Sequence, residues 1–342
     1  MKKRYLIAGA SGVAGSAIAL KLLSRPRSVE WAQHHERVHH AERSRFATVA
    51  GVRVHYQEAG PTDGPPILLI HGFTASTLVW SEVLLPIAEA GFRVVAPDLM
   101  GFGFSEKPRE GEYTIEGHAR MILGLMDELG IERATLVGSS YGGAVAATCA
   151  LDYAERVERL VLVGAVSNDD VKRRPLLRLA ASPFIGELIS PLLLDLRWMV
   201  KRHLKRNAVG NAGWLDEKRV AAYRVPLRAA DTQRAALRML RAWSAERIGR
   251  EAHLITQPTL LIWGEHDVEI PLTDGEYLHE EIPSSRLIVF RRCGHLPQEE
   301  YPREFAMLVE GFCKGTLGES VCEPSPEQGA LAAASAGSMK EV

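Results

Sequence analysis

Cysteine is scarce in this chain: four residues out of 342, Cys149, Cys293, Cys313 and Cys322, with no CxxC spacing among them. That excludes a disulfide scaffold and a paired-cysteine metal site, and the four are expected to be free thiols, with Cys149 packed in a core. Net charge is almost absent as well. The 41 Lys and Arg nearly cancel the 42 Asp and Glu to leave −1, so nothing global argues for a nucleic-acid partner. Internal repeats are also missing. What remains is 46% hydrophobic and 24% charged, the composition of a globular protein able to bury a large core. The length permits two domains or one α/β core with an inserted subdomain.

The two ends differ from the middle. Residues 315–342 are rich in Gly, Ala, Ser, Pro and Glu without apolar periodicity, so a disordered tail is expected. At the other end Lys2, Lys3 and Arg4 precede an uncharged run from Tyr5 to Leu20, which Lys21 closes. Three readings compete for residues 1–30. A dinucleotide-binding start is suggested by Gly9, Gly12 and Gly15, but the acidic residue and second strand it needs do not follow. A cleaved signal peptide fits the small-x-small pattern of Ala17-Ile18-Ala19. An uncleaved anchor fits the basic flanks: the 16 residues 5–20 rise only about 24 Å as a helix against a hydrocarbon core of roughly 30 Å, so the span extends to 5–23 with Lys21 snorkelling and Leu22 and Leu23 joining. The anchor is the reading adopted, and it makes the protein membrane-associated, its body otherwise cytoplasmic. Residues 31–45 follow as a charged linker; His35 and His39 could share a helix face, but no third ligand accompanies them, so no metal is expected.

From Phe46 onward, extended segments alternate with helical ones. Val49 and Val52–Tyr56 flank Ala50-Gly51 as a hairpin would. Short apolar runs at 67–70, 93–96, 134–137, 160–163, 260–263 and 287–290 read as buried strands. Apolar spacing over 115–129 and small apolar residues over 142–151 read as helices. This is the pattern of a parallel sheet covered on both faces. Core segments 46–165 and 254–314 are separated by a helical insert, 166–253, in which residues 168–253 carry 18 Lys and Arg against 9 Asp and Glu.

Three loops carry the chemistry. Gly138-Ser139-Ser140-Tyr141-Gly142 is a G-x-S-x-G between an expected strand and an expected helix, where the glycines allow a tight turn and the helix start faces developing negative charge. Ser140 is therefore the expected nucleophile. A hydroxyl attacks poorly without a base held in the right tautomer. His295 follows the last strand and Asp267 the one before it, giving the order Ser, Asp, His. Glu265 and His266 are the alternative acid and base. An oxyanion needs backbone donors: Tyr141 supplies one N–H and Phe73, in the loop His71-Gly72-Phe73-Thr74, the other. His71 is expected to brace that loop. Such chemistry calls for no cofactor and no metal.

The segments HGFTAS, DLMGFGFSEKP, GSSYGG, PTLLIWGEHD and CGHLPQEEYPREF, over roughly residues 46 to 313, resemble the α/β-hydrolase superfamily. They look closest to the branch of bacterial esterases and lipases, epoxide hydrolases and haloalkane dehalogenases. The resemblance implies an α/β-hydrolase fold, a mostly parallel central sheet with helices on both faces, and an insert that caps the active site. A serine at position 140 argues against the two aspartate-nucleophile groups. Meta-cleavage carbon–carbon hydrolases also use serine, but they usually show Gly-Pro-Gly after the His-Gly and a tryptophan after the catalytic histidine, where this chain has Phe73-Thr74-Ala75 and Leu296. Cleavage of a carboxylic ester is therefore the first expectation, carbon–carbon hydrolysis the second, and a non-catalytic binding protein the third.

In the resembling enzymes the cap lines the acyl pocket, and Tyr223–Arg228 looks like a cap segment of lipase-like members. Phe184, Ile185, Leu188, Ile189 and Leu192–Leu194 are dense in apolar atoms, and Lys201, Arg202, Lys205 and Arg206 follow. Two readings stay open: a surface lying on anionic lipid, and a cap helix packed on its own core with a solvated basic end. The expected partner is a small ester or acyl lipid, with membrane contact through residues 5–23 and the basic cap.

Overall fold

The computed structural model describes residues 26–210, 213, 215–317 and 339–341. The expected anchor, the Gly9–Gly15 motif and Cys322 lie outside them. Nine strands form one sheet: β1 Ser44–Val49, β2 Val52–Ala59, β3 Pro66–Ile70, β4 Arg93–Pro97, β5 Ala134–Ser139, β6 Val157–Val163, β7 Thr259–Gly264, β8 Ser285–Phe290 and β9 Met339–Glu341. Their order is β1-β2-β4-β3-β5-β6-β7-β8-β9. Pairing is parallel from β4 to β8 and antiparallel at both margins. The β1–β2 hairpin closes on Ala50 and Gly51, both at positive φ (47° and 80°), the handedness that matches strand twist.

The unbroken apolar runs have a simple origin. Alternate residues of a strand face opposite sides, and both sides here are buried. Leu68, Ile70, Leu136, Leu160 and Leu261 join one apolar cluster with helices Ile115–Glu128 and Tyr141–Asp152. Ile67, Leu69, Val137, Val161 and Ile262 join a second cluster with helices Leu84–Glu89 and Pro302–Lys314. Thr114 caps the Ile115 helix by accepting the Gly117 N–H at 2.9 Å, a cap that contributes about 1 kcal/mol.

Between β6 and β7 the chain builds the cap, whose main helices are Pro175–Ala181, Ile185–Asp195, Arg197–Asn207, Glu217–Leu227 and Ala230–Ala242.

Residues 31–43 hold no buried side chain, but contacts pin them to the core: Trp31 packs against Phe46, His55 and Phe104 with ring centroids 5.1 to 5.7 Å apart, and His40 bonds the Ser81 carbonyl at 2.9 Å. One expectation needs correction: the tail is not unstructured throughout, since Met339–Glu341 pair with Ile288–Phe290. The outer edge of β8 offers unpaired backbone groups to a passing strand.

Candidate active site

The turn from β5 into helix Tyr141–Asp152 places Ser140 at φ 55°, ψ −118°. This backbone conformation is costly for an L-residue and persists only where surroundings hold it. They do: the Ser140 N–H donates to Val163 O at 2.8 Å, and its carbonyl accepts from Gly143 N at 2.9 Å and Val166 N at 3.1 Å. The flanking glycines are steric necessities. A Cβ on Gly138 would meet Gly142 O at 2.3 Å, and one on Gly142 would meet Ile70 O at 2.2 Å.

Asp267 and His295 come together from the loops after β7 and β8. His295 Nδ1 lies 2.6 Å from Asp267 Oδ2, so the ring donates there and leaves Nε2 to act. Asp267 Oδ1 accepts the N–H groups of Glu269 (2.8 Å) and Ile270 (2.9 Å), which locks the carboxylate's orientation. Burial opposes an imidazolium at His295, but the Asp267 charge and hydrogen bond outweigh it and hold the pKa above the ordinary 6.5. The alternative pair is not part of this arrangement. Glu265 and His266 are about half exposed (45% and 51%) and face each other at 3.8 Å.

Gly164 connects the pair to the nucleophile. It follows Val163, the strand residue that bonds Ser140 N, and a Cβ there would lie 3.0 Å from Asp267 Oδ2 and 3.1 Å from His295 Nδ1. Ser140 and the His–Asp pair thus share one rim of the sheet. No hydrogen bond joins Ser140 Oγ to His295 among the described residues; such contacts commonly tighten only when substrate is bound.

The loop after β3 crosses this rim. A Cβ on Gly72 would lie 3.0 Å from Ser140 Cβ, so the loop can approach the serine only as glycine. Among the described residues the backbone N–H groups of Phe73 and Tyr141 donate to nothing, which leaves both available to an oxyanion. Their rings meet a third, Trp243 of the cap, at centroid distances of 5.8 Å and 5.0 Å. His71 braces the loop: its Nε2 accepts Leu99 N at 2.9 Å, so Nδ1 carries the proton and donates to Gly72 O at 2.8 Å. Burial lowers its pKa, keeping it neutral.

A profile of the alpha/beta hydrolase fold matches residues 65–302. This chain belongs to the α/β-hydrolase family. The hydrolase is 32% identical over 284 residues to 2-hydroxymuconate semialdehyde hydrolase of a Pseudomonas species, covering 79% of this chain and 94% of that one. It is similar in structure to a meta-cleavage product hydrolase from Pseudomonas fluorescens, with TM-score 0.66, 27% identity and coverage of 79% and 97%. It is also similar to a protein described as a membrane phospholipase A and bacterial virulence factor, with TM-score 0.66, 26% identity and coverage of 92% and 99%.

Sequence reasoning missed two buried networks in this hydrolase. Asp98 Oδ2 accepts His55 Nδ1 at 2.7 Å and Phe104 N at 2.8 Å, while Oδ1 accepts Thr77 N at 2.7 Å. Its carboxylate fills the space beside Gly103, where a Cβ would lie 2.0 Å from it. In the second network Arg219 of the cap is inserted against Glu299, four residues past His295, with Tyr223 donating to the same carboxylate. The neighbouring Glu300 accepts Gly294 N and Gly210 N, both at 2.7 Å. The cap is therefore clamped onto the loop that carries His295. The spacing of QEE after GHLP was the available signal, but nothing in sequence said which basic residue would meet it.

Proposed function

We propose that this hydrolase cleaves carboxylic esters with an apolar acyl group through an acyl-enzyme on Ser140. His295 Nε2 takes the Ser140 proton as Oγ attacks the ester carbonyl carbon, and Asp267 stabilises the imidazolium that results. The carbonyl oxygen becomes an oxyanion facing the N–H groups of Phe73 and Tyr141. Collapse breaks the bond to the alcohol, which leaves with the proton from His295. Water, deprotonated by the same imidazole, then releases the acid and restores Ser140.

The observation that carries this reading is the pair of unpaired N–H groups at Phe73 and Tyr141 beside a serine held at positive φ. The wall above them, Phe73, Phe102, Tyr141 and Trp243, is aromatic and suits an acyl chain. Likeness to the membrane phospholipase A structure reaches over 92% of the chain, beyond the 79% matched by the meta-cleavage enzyme. That extra coverage favours an acyl-lipid ester.

The second reading is hydrolysis of a carbon–carbon bond, which the names of the relatives support. Those relatives include one named for 2-hydroxy-6-oxo-6-phenylhexa-2,4-dienoate, a carboxylate that would need a cation beside Ser140. The four rings supply none, and Arg174, whose charge is felt at His295, is engaged by Glu269. A p-nitrophenyl ester series of increasing acyl length, run beside a dienoate cleavage assay, tests the choice: ester turnover rising with chain length is expected, and turnover of the dienoate alone would overturn it.

A further inference from the structure

We infer that the hairpin of helices Pro175–Ala181 and Ile185–Asp195 in the cap is a lipid-docking surface, which seats the enzyme on anionic membrane and extends the ester-hydrolase reading by fixing where its acyl lipid is met. Among the described residues, six of the eleven exposed large apolar side chains fall on residues 176–198: Leu176, Leu179, Phe184, Ile185, Leu188 and Trp198. A protein that meets only water does not gather its exposed apolar side chains in this way. Phe184, at the turn between the two helices, is 88% exposed and held at φ 64°, a conformation that costs energy without gaining any burial. The two helices meet at a 113° bend and together have the length and apolarity of a broken span; no single described helix is long and apolar enough to cross a membrane.

Charge selects the occupant. Exposed Arg178, Arg202, Lys205 and Arg206 flank the hairpin, and none has an ion pair among the described residues. Each basic group near an anionic leaflet adds to the attraction, whereas a second copy of the same face would bring like charges together. One further feature agrees. Leu194, at the far end of the second helix, packs on the large apolar cluster to which Tyr141 and Trp243 belong, so the hairpin is seated on the core at one end and exposed at the other.

The test uses the full chain carrying Phe184→Cys labelled with an environment-sensitive fluorophore, against wild type treated identically. Phosphatidylglycerol vesicles should shift the emission to the blue, and Arg202→Glu/Lys205→Glu/Arg206→Glu should weaken that response. Phe184→Asp/Leu188→Asp should lower turnover of a long-chain ester in those vesicles by more than about tenfold, the loss expected when two large side chains can no longer be buried, with p-nitrophenyl butyrate turnover unchanged. An unshifted probe in vesicles overturns the inference, as does a blue shift without vesicles that grows with protein concentration and so reports self-association. If vesicles shift the probe on Phe184→Cys but wild type hydrolyses no ester, the docking surface stands and the ester reading falls.

Discussion

The Asn207 carbonyl accepts the backbone N–H of His295 at 3.0 Å, so the end of a cap helix directly holds the loop carrying the base. The contact is tight: a Cβ on the adjacent Gly294 would lie 2.2 Å from the same carbonyl. Gly294→Ala should push cap and loop apart and lower kcat about 100-fold, the effect of an ångström-scale misplacement. Steady-state kinetics on a short soluble ester check this, with KM changing less than kcat.

The pH profile should report the His–Asp pair. Only neutral imidazole accepts the Ser140 proton, so kcat/KM falls as pH drops through the His295 pKa. Because Asp267 holds that pKa above 6.5, the acid limb should have its midpoint above 6.5. In Asp267→Asn the charge is gone and burial becomes the dominant influence on the ring, so the midpoint should move to lower pH. The rate on the plateau should fall about 10⁴-fold as the tautomer is lost.

Asp98 is a structural counterpart. Burial pushes its carboxyl up, but the charge and hydrogen bond of His55 outweigh this and hold it below 3.8. Its contribution to stability is therefore present above the ordinary carboxyl value and lost as pH falls through the lowered one. Asp98→Ala should destabilise by about 3–5 kcal/mol, since buried donors lose their acceptor. Asp98→Asn should cost less and flatten the acid dependence. Urea midpoints of the three proteins between neutral and acid pH decide it.

Glu299→Gln should loosen the cap. Buried Arg219 would lose its closer counter-charge and keep only the half-exposed Glu82 at 3.3 Å, a cost toward the lower end of about 3–5 kcal/mol. Limited proteolysis should show earlier cleavage between residues 168 and 253 than in wild type, and unchanged protection would count against the clamp.

Much of this was legible in advance because it is local. The six buried strands are short apolar runs, each closed by a Gly, Pro or polar residue, and Ser140, Asp267 and His295 each sit in the loop just after such a run. What stayed hidden depends on pairing between distant segments. Asp98 meets His55 only because β2 lies antiparallel to β4, and no spacing rule encodes that. In residues 31–43 the contacts of Trp31 with Phe46, His55 and Phe104 stayed hidden, because they too join segments distant in sequence. In the cap, helical periodicity marks helices but not their partners, so Arg219, one of 18 basic residues over 168–253, could not be singled out as buried.

A covalent acyl group on Ser140 should be caught by intact-protein mass spectrometry during rapid-quench turnover of a p-nitrophenyl ester. A burst of p-nitrophenol should accompany a mass increase equal to one acyl group, mapped to the peptide containing Ser140 and absent in Ser140→Ala. Ester turnover with no adduct at Ser140, or undiminished turnover in the alanine variant, would contradict it.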